Sequence, residues 1–268
     1  RPAILSRGYA RRRTPEGVVV VADGKDVLAG AEESGDEPQM LARALPGVPV
    51  LVSKDRYLAG RLAESRFDAT VLLLDDGFQH LQLARAVDLL VVGTRDLQAD
   101  VLPSGPLREP LGAARAAHAV LVYGNTEEAE RIAGTLGVSA AFAVVPRYDE
   151  LREIGGTDGA APVEGRRVVA LAGIGRPFRF FDALRTLGFD VVREIAYRDH
   201  HWFTRADLDR VPADAHGAGA TAVVTTAKDA VRIEGLPRPG PTVGASGEAG
   251  KDRRREASRT WPPSGAAM

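Results

Sequence analysis

Short apolar runs alternate along the chain with longer segments whose apolar residues recur at helical spacing. The apolar runs predict nine strands, at residues 3–5, 18–21, 48–52, 71–74, 88–92, 119–123, 168–172, 191–195 and 222–225. The longer segments predict helices at residues 36–45, 55–64, 126–136, 177–187 and 205–211, and the last of these is expected to end before Pro212. Apolar runs that do not alternate with polar residues are typical of strands buried on both faces. With helices between them, they favour an α/β fold built on a doubly wound, mostly parallel sheet.

Two changes in composition divide the chain. Gly155-Gly156 and residues 159–162 interrupt the periodicity, so we assign residues 1–150 to a main lobe. Residues 151–236 form a second, smaller α/β lobe in this interpretation. Residues 237–268 are rich in Pro, Gly, Ser and Arg and have little apolar surface to bury, which predicts a disordered tail.

The composition excludes several classes of chemistry. None of the 268 residues is cysteine, which excludes disulfides, thiolate catalysis and cysteine-ligated metal centres. The formal net charge of −1 gives no support to nucleic-acid binding through bulk positive potential. No apolar run approaches the roughly 18–20 residues that span a bilayer, and no apolar segment of a signal peptide follows the arginines of residues 1–13. We therefore expect a cytoplasmic protein.

The residues that follow the predicted strand at 71–74 are the sharpest candidates for chemistry. Asp75 and Asp76 come directly after four apolar residues, which places both carboxylates at the carboxyl edge of a central strand. Ligands bind at that edge in open α/β sheets, and a strand followed by aspartate is the arrangement that holds Mg²⁺ beside nucleotide phosphates. A turn in which an aspartate caps the next helix explains the same residues equally well.

A second carboxylate pair, Asp36 and Glu37, stands at the start of a predicted helix. A carboxylate at a helix N-terminus is stabilised as the anion, which suits a helix cap and a general base alike, and sequence alone favours the cap. His200 and His201 follow a predicted strand, and their imidazoles could relay protons near neutral pH. A pair of surface histidines ahead of the next helix is an equally good interpretation.

A proline-rich stretch and a strand-ending turn add charged groups to these candidates. Residues 102–110 contain three prolines and a glycine, so they must form a stiff, extended loop. Within it, Arg108 is suited to phosphate and Glu109 to a metal shell, although both side chains could simply be solvated. Arg7 offers another cation at the end of the first predicted strand, where an ordinary turn explains it equally well. No G-x-x-x-x-G-K-[ST] phosphate loop occurs in the chain.

These motifs, in this order, resemble those of the tetraacyldisaccharide 4'-kinase family. The resemblance covers about residues 1–235, and two of its motifs, D-D-G-F-Q-H and L-P-x-G-P-L-R-E-P, are highly specific. The matching segments are Ser6-Arg7-Gly8-Tyr9, Gly35-Asp36-Glu37-Pro38, residues 75–80, residues 102–110, residues 172–177, Asp199-His200-His201 and Thr226-Ala227-Lys228-Asp229-Ala230.

The resemblance implies a P-loop-kinase-like fold with two α/β lobes and a defined reaction. Members of the family transfer the γ-phosphoryl group of ATP, with Mg²⁺, to the 4'-hydroxyl of a tetraacyldisaccharide 1-phosphate, a lipid A precursor. They work as peripheral proteins on the cytoplasmic face of the inner membrane of Gram-negative bacteria.

The resemblance also assigns roles to individual residues. Asp36 would act as the general base that accepts the proton of the sugar hydroxyl, helped by His200. Mg²⁺ would be held by Asp75 and Asp76. The implied nucleotide-binding residues are Asp75, Asp76, Glu37, Arg108 and Glu109. The implied acceptor-binding residues are Arg7, Gly8, Tyr9 and His201.

The chain departs from the family pattern near both of its ends. The family's membrane-seeking helix, first strand and G-G-x-G-K-T phosphate loop precede the position of Ser6, so we expect this chain to be a fragment whose start lies upstream. Ala10 stands where the family often has glycine. After Ile233 the family continues into further sheet and helix, whereas this chain enters the tail rich in Arg, Pro and Gly.

Two other functions compete with the kinase. A non-catalytic remnant could keep the acceptor surface and bind the lipid A precursor without transferring phosphate. An unrelated metal-dependent hydrolase could use Asp75, Asp76 and His80, but it leaves the proline-rich loop unexplained. An in-frame phosphate-loop motif in the DNA upstream of Arg1 would favour the kinase over the remnant.

Overall fold

The computed structural model describes residues 1–148, 151–154, 166–234 and 236, and the backbone of residues 243–246. Over these residues the chain forms three β-sheets with helices packed against them. The strands are β1 (Pro2–Ser6), β2 (Val19–Asp23), β3 (Pro49–Val52), β4 (Val71–Leu74), β5 (Leu89–Val92), β6 (Ala119–Tyr123), β7 (Ala141–Val144), β8 (Arg152–Glu153), β9 (Arg167–Ala172), β10 (Asp190–Ala196), β11 (Ala222–Thr226) and β12 (Val243–Ser246). The helices are α1 (Ala31–Ser34), α2 (Asp36–Ala44), α3 (Arg56–Phe67), α4 (Thr126–Leu136), α5 (Pro177–Thr186), α6 (Arg205–Gly217) and α7 (Ala227–Ile233), with 3₁₀ helices at Thr94–Gln98 and Leu111–Ala116.

The first sheet carries the amino-terminal half of the candidate site. Its strand order is β2-β3-β1-β4, with β1 parallel to β3 and β4, and with β2 antiparallel to β3. Leu5 and Leu51 pack on the side of α3, whereas Ile4 and Val50 pack on the side of α2. Both faces of β1 and β3 are therefore buried, as expected for apolar runs that do not alternate with polar residues.

The other two sheets are also mostly parallel. Strands β5, β6 and β7 form a parallel sheet covered by α4, whose Ile132 is fully buried. The last sheet has the order β10-β9-β11-β12-β8, in which only β8 runs antiparallel to its neighbour. Leu184 of α5 packs on one face of this sheet, and Leu208 of α6 packs on the other. Burying such a leucine contributes about 1.5–3 kcal/mol, so these helices hold the strand ends in place.

The α/β class and the doubly wound, mostly parallel architecture are confirmed, and so are all nine predicted strands. Three strands, β7, β8 and β12, were not predicted. Their sequences are Ala-Phe-Ala-Val, Arg-Glu and Val-Gly-Ala-Ser, which lack a distinct apolar run. Each of them forms because the edge of an existing strand supplies backbone hydrogen-bond partners.

The predicted end of α6 is wrong. The helix continues beyond Pro212 to Gly217, although proline removes one helical hydrogen bond. Leu208, Val211 and Ala215 lie along one buried face of α6 and pack onto the sheet. This burial on both sides of the proline outweighs the hydrogen bond that is lost.

Within the segment predicted to be a disordered tail, Val243–Ser246 form β12 between β11 and β8. The remaining tail residues, 237–242 and 247–268, lie outside the described residues, as do Gly155-Gly156 and residues 159–162 at the predicted lobe boundary. Within the described part of the chain, no helix combines the length and the apolar character needed to cross a membrane.

Candidate active site

Asp36 is the first residue of α2 and is almost completely buried. The N-cap position belongs to Gly35, which has φ 89° and no side chain to cap the helix. A Cβ at Gly35 would lie 2.8 Å from the carbonyl oxygen of Tyr9, so only glycine lets the loop after β1 approach the helix this closely. Asp36 Oδ1 accepts the backbone N–H of Glu37 at 2.9 Å, which leaves Oδ2 for other partners. The interpretation of Asp36 as a helix cap is therefore insufficient.

His200 is one of the titratable partners of Asp36. Its Nδ1 lies 3.0 Å from Asp36 Oδ2, although the two residues are 164 positions apart in the chain. The backbone of His200 is left-handed, with φ 56°, and its N–H points to the carbonyl oxygen of Gly173 at 3.1 Å. The ring of Tyr9 stands edge-on to the imidazole with centroids 5.3 Å apart. The loop after β10 and the loop after β1 thus meet at this histidine.

Two cations on α7 complete the surroundings of Asp36. Lys228 Nζ lies 3.0 Å from Glu37 Oε1, 3.4 Å from His200 Nε2 and 4.0 Å from Asp36 Oδ2. Arg232, one helical turn further on, forms an ion pair with Asp36 through Nη2. Because an ammonium group can only donate, His200 Nε2 accepts from Lys228, and the imidazole proton is then on Nδ1, facing Asp36.

Asp229 ties α7 to the end of β9. Its carboxylate accepts the backbone N–H of Gly173 at 2.9 Å and the Thr226 hydroxyl at 2.8 Å. Arg232 Nη1 lies 3.2 Å from Asp229 Oδ1. Burial raises the pKa of Asp229, and burial lowers the pKa of Arg232 to about 10, so the arginine still carries its charge at neutral pH.

Asp75 lies at the carboxyl end of β4, where the sequence predicts it. Ser6 Oγ donates to Asp75 Oδ2 at 2.9 Å, and Arg56 Nη2 donates to the Asp75 carbonyl oxygen at 3.2 Å. Burial is the largest influence on the Asp75 carboxyl and raises its pKa; the Ser6 hydrogen bond lowers it, and the charges of Glu37 and Asp76 raise it further. The influence of Glu37 shows that the Asp36 cluster and the Asp75 carboxylate share one electrostatic environment.

Asp76 follows in a left-handed conformation, with φ 49°, and faces the proline-rich loop. Arg108 Nη1 lies 2.9 Å from Asp76 Oδ2 and 3.3 Å from Gln79 Oε1. Both partners of the Arg108–Asp76 pair are more than half exposed, so the pair contributes little to stability and can exchange for a ligand. The end of β4 and the proline-rich loop therefore meet at this ion pair.

The carboxylates suit a magnesium ion that is bound together with phosphates. No group of three or more His, Asp or Glu side chains among the described residues could hold a metal ion by itself. Mg²⁺ in nucleotide sites commonly takes only one or two carboxylates and completes its shell with phosphate oxygens and water. The exposed Asp76 carboxylate and the raised pKa of Asp75, which a nearby cation would lower, fit that mode of binding.

The other predicted site residues divide into two groups. Tyr9 contacts the His200 ring, and Gly8 beside it has φ 68°, where a Cβ would lie 2.5 Å from Val52 Cγ1. Arg7 is exposed. Burial is the largest influence on Arg56 and lowers its pKa, the charge of Asp75 raises it, and the charge of Arg7 lowers it. Glu109 is exposed in the loop beside Arg108.

His201 does not join the Asp36 cluster. Its Nε2 lies 3.1 Å from Asp207 Oδ2, and its ring stacks on Tyr197 with centroids 4.4 Å apart. Phe203 packs edge-on against the same imidazole. The structure thus separates the two histidines: His200 faces Asp36, and His201 packs among Tyr197, Phe203 and Asp207.

Sequence reasoning missed the site residues that carry no local signal of their own. Ser6 and Arg56 support Asp75, and Lys228 and Arg232 support Asp36. Lys228 belongs to one of the matched segments, yet nothing in that segment gives it a role. Arg232 reads as an ordinary cation in the last turn of a helix. Only its spacing of four residues from Lys228 could have placed both side chains on one face of α7.

The parallel sheets, with carboxylates collected at their strand ends, define an α/β protein of the P-loop-kinase-like class. The model of one sequence family, described as tetraacyldisaccharide-1-P 4'-kinase, matches residues 1–243. The chain belongs to this family.

Individual relatives agree with this assignment. The tetraacyldisaccharide 4'-kinase of Anaeromyxobacter dehalogenans (strain 2CP-1 / ATCC BAA-258) is 40% identical over 261 residues, which cover 92% of this chain and 66% of that protein. The protein of the same name from Anaeromyxobacter sp. (strain K) is 41% identical over 248 residues, which cover 87% of this chain and 64% of that protein. The chain therefore spans slightly less than two thirds of the length of these relatives.

A solved structure shows the same fold. It is LpxK from Aquifex aeolicus in complex with ATP, which superposes with a TM-score of 0.71 at 32% sequence identity. The match covers 92% of this chain and 73% of the Aquifex chain. The arrangement of the sheets described above is therefore that of a solved member of the family.

Proposed function

We propose that the protein to which this chain belongs transfers the γ-phosphoryl group of ATP to the 4'-hydroxyl of a tetraacyldisaccharide 1-phosphate, a step of lipid A biosynthesis. Family membership supports the choice of reaction. The single observation that carries the proposal is the buried Asp36–His200 pair, whose Oδ2 and Nδ1 atoms are 3.0 Å apart. A carboxylate whose orientation is fixed by an imidazole can serve as a general base for a hydroxyl placed within hydrogen-bond reach.

Asp36 acts as the general base in this proposal. A sugar hydroxyl is a poor nucleophile, and its proton must leave as the oxygen attacks the phosphorus atom. Asp36 Oδ1 accepts only one backbone N–H among the described contacts and retains a second lone pair, which can take this proton. His200, with its proton on Nδ1, fixes the orientation of the carboxylate through Oδ2.

Asp75 and Asp76 would hold Mg²⁺, which when bound offsets the negative charge of the ATP phosphates. Arg108 faces Asp76 and is exposed enough to turn towards a phosphate oxygen. Glu37 supports this region because it lies close enough to influence the Asp75 carboxyl while it pairs with Lys228 at 3.0 Å. Glu109 stands in the same loop as Arg108 and completes the proposed nucleotide side.

The acceptor would approach from the side of Arg7, Gly8 and Tyr9. Tyr9 is 70% exposed and touches His200 with its ring edge, so its outer face is free to contact a sugar beside the proposed base. We place the protein on the cytoplasmic face of the inner membrane as a peripheral protein. The reason is chemical: ATP is cytoplasmic, and an acceptor with four acyl chains stays anchored in the bilayer.

The proposed site is assembled from two lobes. Residues 1–150 would form the main kinase lobe, which carries Asp36 and Asp75. Residues 151–236 would form the second lobe, which carries His200 and the α7 cations. Contacts between α2 and α7 support assembly of the site from both proposed lobes, since the ion pair of Asp36 with Arg232 joins these two helices.

The experiment that tests the proposal is a phosphoryl-transfer assay with γ-labelled ATP, Mg²⁺ and the tetraacyldisaccharide 1-phosphate in detergent micelles. It is run on this chain and on the gene product extended by any in-frame coding sequence upstream of Arg1. We expect the extended protein to bind MgATP in calorimetry and to label the acceptor, and an acceptor methylated at the 4'-oxygen to stay unlabelled. Acceptor binding without transfer would replace the kinase by a non-catalytic binder of the lipid A precursor.

A further inference from the structure

We infer that Arg232 is a positioning residue that fixes the Asp36 carboxylate and the His200 loop in one arrangement across the two lobes. The inference rests on the proposed function, in which Asp36 is the base, and it adds to that function a residue that never touches the substrate. Arg232 is 1% exposed at its side chain and Asp36 is 4% exposed, so water cannot substitute for the contact between them.

The guanidinium of Arg232 is anchored on the side of the second lobe by three acceptors. Its Nη1 lies 3.2 Å from the carbonyl oxygen of Gly173, 3.2 Å from that of His201 and 3.2 Å from Asp229 Oδ1. Its Nη2 extends in the other direction and pairs with Asp36 Oδ2. A planar guanidinium offers its donors in a rigid fork, so these contacts hold its position closely.

The same anchor also determines where His200 stands. The Gly173 carbonyl oxygen that accepts from Arg232 also accepts the backbone N–H of His200 at 3.1 Å. The His201 carbonyl oxygen, which directly follows His200 in the chain, accepts from Arg232 as well. Both members of the Asp36–His200 pair are thus positioned from one side chain. If Arg232 is lost, no single side chain fixes the positions of both the carboxylate and the imidazole.

The charge of Arg232 matters as much as its shape. Among the described contacts, the charged and titratable groups that face Asp36 are His200 on the loop after β10 and Lys228 and Arg232 on α7. The carboxylates of Glu37, Asp199 and Asp229 contact these two cations in turn. Lys228 is 4.0 Å away and is occupied with Glu37 at 3.0 Å. Arg232 is therefore the cation in direct contact with the buried carboxylate, and an unpaired buried carboxylate would readily take up a proton.

The chain offers a matched control on the same two helices. Arg43 of α2 pairs with Glu234, which follows α7, so this pair also joins the two lobes. Arg43 is 42% exposed at its side chain and contacts none of the Asp36, His200 or Lys228 side chains in the described set of ion pairs. Arg43→Met therefore removes an interlobe cation without touching the proposed base.

The test compares Arg232→Met, Arg232→Lys and Arg43→Met in the protein that transfers phosphate. We expect Arg232→Met to lower kcat at least tenfold, while the Kd for MgATP and the KM for the acceptor stay within twofold. We also expect the acid limb of kcat against pH to move to higher pH, because protonation of the carboxylate is then opposed by one cation fewer. Arg232→Lys should restore part of kcat and most of the shift in pH, and Arg43→Met should change neither.

Folding is monitored separately, since Arg232→Met leaves a buried carboxylate without its cation. The double variant Asp36→Asn with Arg232→Met should recover most of the thermal stability that Arg232→Met loses alone. A lower melting temperature with an unshifted pH profile, and no recovery by Arg232→Lys, would reduce Arg232 to a purely structural residue and overturn the inference. Unchanged kcat in Arg232→Met would overturn it as well. If the wild-type protein transfers no phosphate, the proposed function fails and the inference fails with it. If the wild-type protein transfers phosphate and Arg232→Met does so at the same rate, only the inference fails.

Discussion

Asp36 acquires its chemistry from residues that are remote in the chain. Its helix-terminal position could be predicted from sequence, where a carboxylate suits a cap or a base and sequence alone favours the cap. We propose the base rather than the cap because His200, 164 positions away, and Arg232 both contact Oδ2. The periodicity of a single sequence does not show which residues so far apart in the chain are in contact. The resemblance pointed to Asp36 and His200, whereas the contact of Arg232 with Asp36 is visible only in the structure.

Backbone strain is the second feature that appears only at the scale of single residues. The non-glycine residues with left-handed backbones in the described part of the chain are Ala10, Asp68, Asp76 and His200. Two of these, Asp76 and His200, belong to the candidate site. Such conformations persist where surrounding contacts impose them, and they are enriched at functional sites.

Ala10 provides a stability prediction, because its φ of 56° suits glycine better than alanine. An alanine in this conformation costs about 1–2 kcal/mol, and glycine adds about 0.5–1 kcal/mol of chain entropy to the unfolded state. We expect Ala10→Gly to raise the free energy of unfolding by about 0.5–1 kcal/mol, measured by urea denaturation. Ala44→Gly, at the last residue of α2, is the matched control and should lower it. Equal losses in both variants would contradict the account of strain.

At the scale of elements, most of the fold could be predicted from apolar runs and helix signals. The nine strands with clear apolar runs were found, whereas short strands such as β12 depend on a partner edge that sequence does not show. Pro212 misled the prediction for α6 because a local rule was applied to a helix that tertiary packing stabilises. The amino-terminal end of α6, in contrast, lies at Arg205, where it was predicted from the local sequence.

The start of α6 provides a pH prediction. Thr204 and Asp207 form a capping box in which Asp207 Oδ2 accepts the Thr204 N–H at 2.8 Å and the Thr204 hydroxyl at 2.7 Å. Burial alone raises the pKa of Asp207, but the hydrogen bonds from Thr204 and His201 together lower it below its usual value. A carboxyl with a lowered folded pKa stabilises the fold above its unfolded pKa of about 3.9, and this stabilisation disappears as the pH falls through the folded value.

We therefore expect Asp207→Asn to lower the free energy of unfolding by about 1 kcal/mol at pH 7. The difference from wild type should shrink when the pH is lowered below 4. Urea denaturation at pH 7, 5 and 3 measures both effects. Asp209→Asn, on the exposed side of the same helix, is the control and should show a smaller effect at every pH. A loss in Asp207→Asn that is independent of pH would contradict the assignment of charge to this cap.

At the scale of the whole molecule, the candidate site is built from distant parts of the chain. Helix α2 and strand β4 supply Asp36 and the strand end at Asp75, and the loop after β10 together with α7 supplies His200, Lys228 and Arg232. A further contact joins them beside the site, where Arg12 lies over the ring of Trp202 at 4.6 Å from its centroid. Sequence could predict most of the elements that carry these residues, because their apolar patterns are clear. It could not predict their approach, which depends on single polar contacts across the interface.

The measurement that tests the central claim most directly is single-turnover phosphoryl transfer by Asp36→Asn. The Kd for MgATP is measured on the same preparation. The account predicts a loss of about 10²- to 10⁴-fold in the rate of transfer, because a general base contributes that much, with ATP affinity within twofold of wild type. Glu33→Gln, in the neighbouring helix α1 and outside the cluster, should transfer at the wild-type rate. Transfer by Asp36→Asn within twofold of wild type would contradict the role of Asp36 as the base.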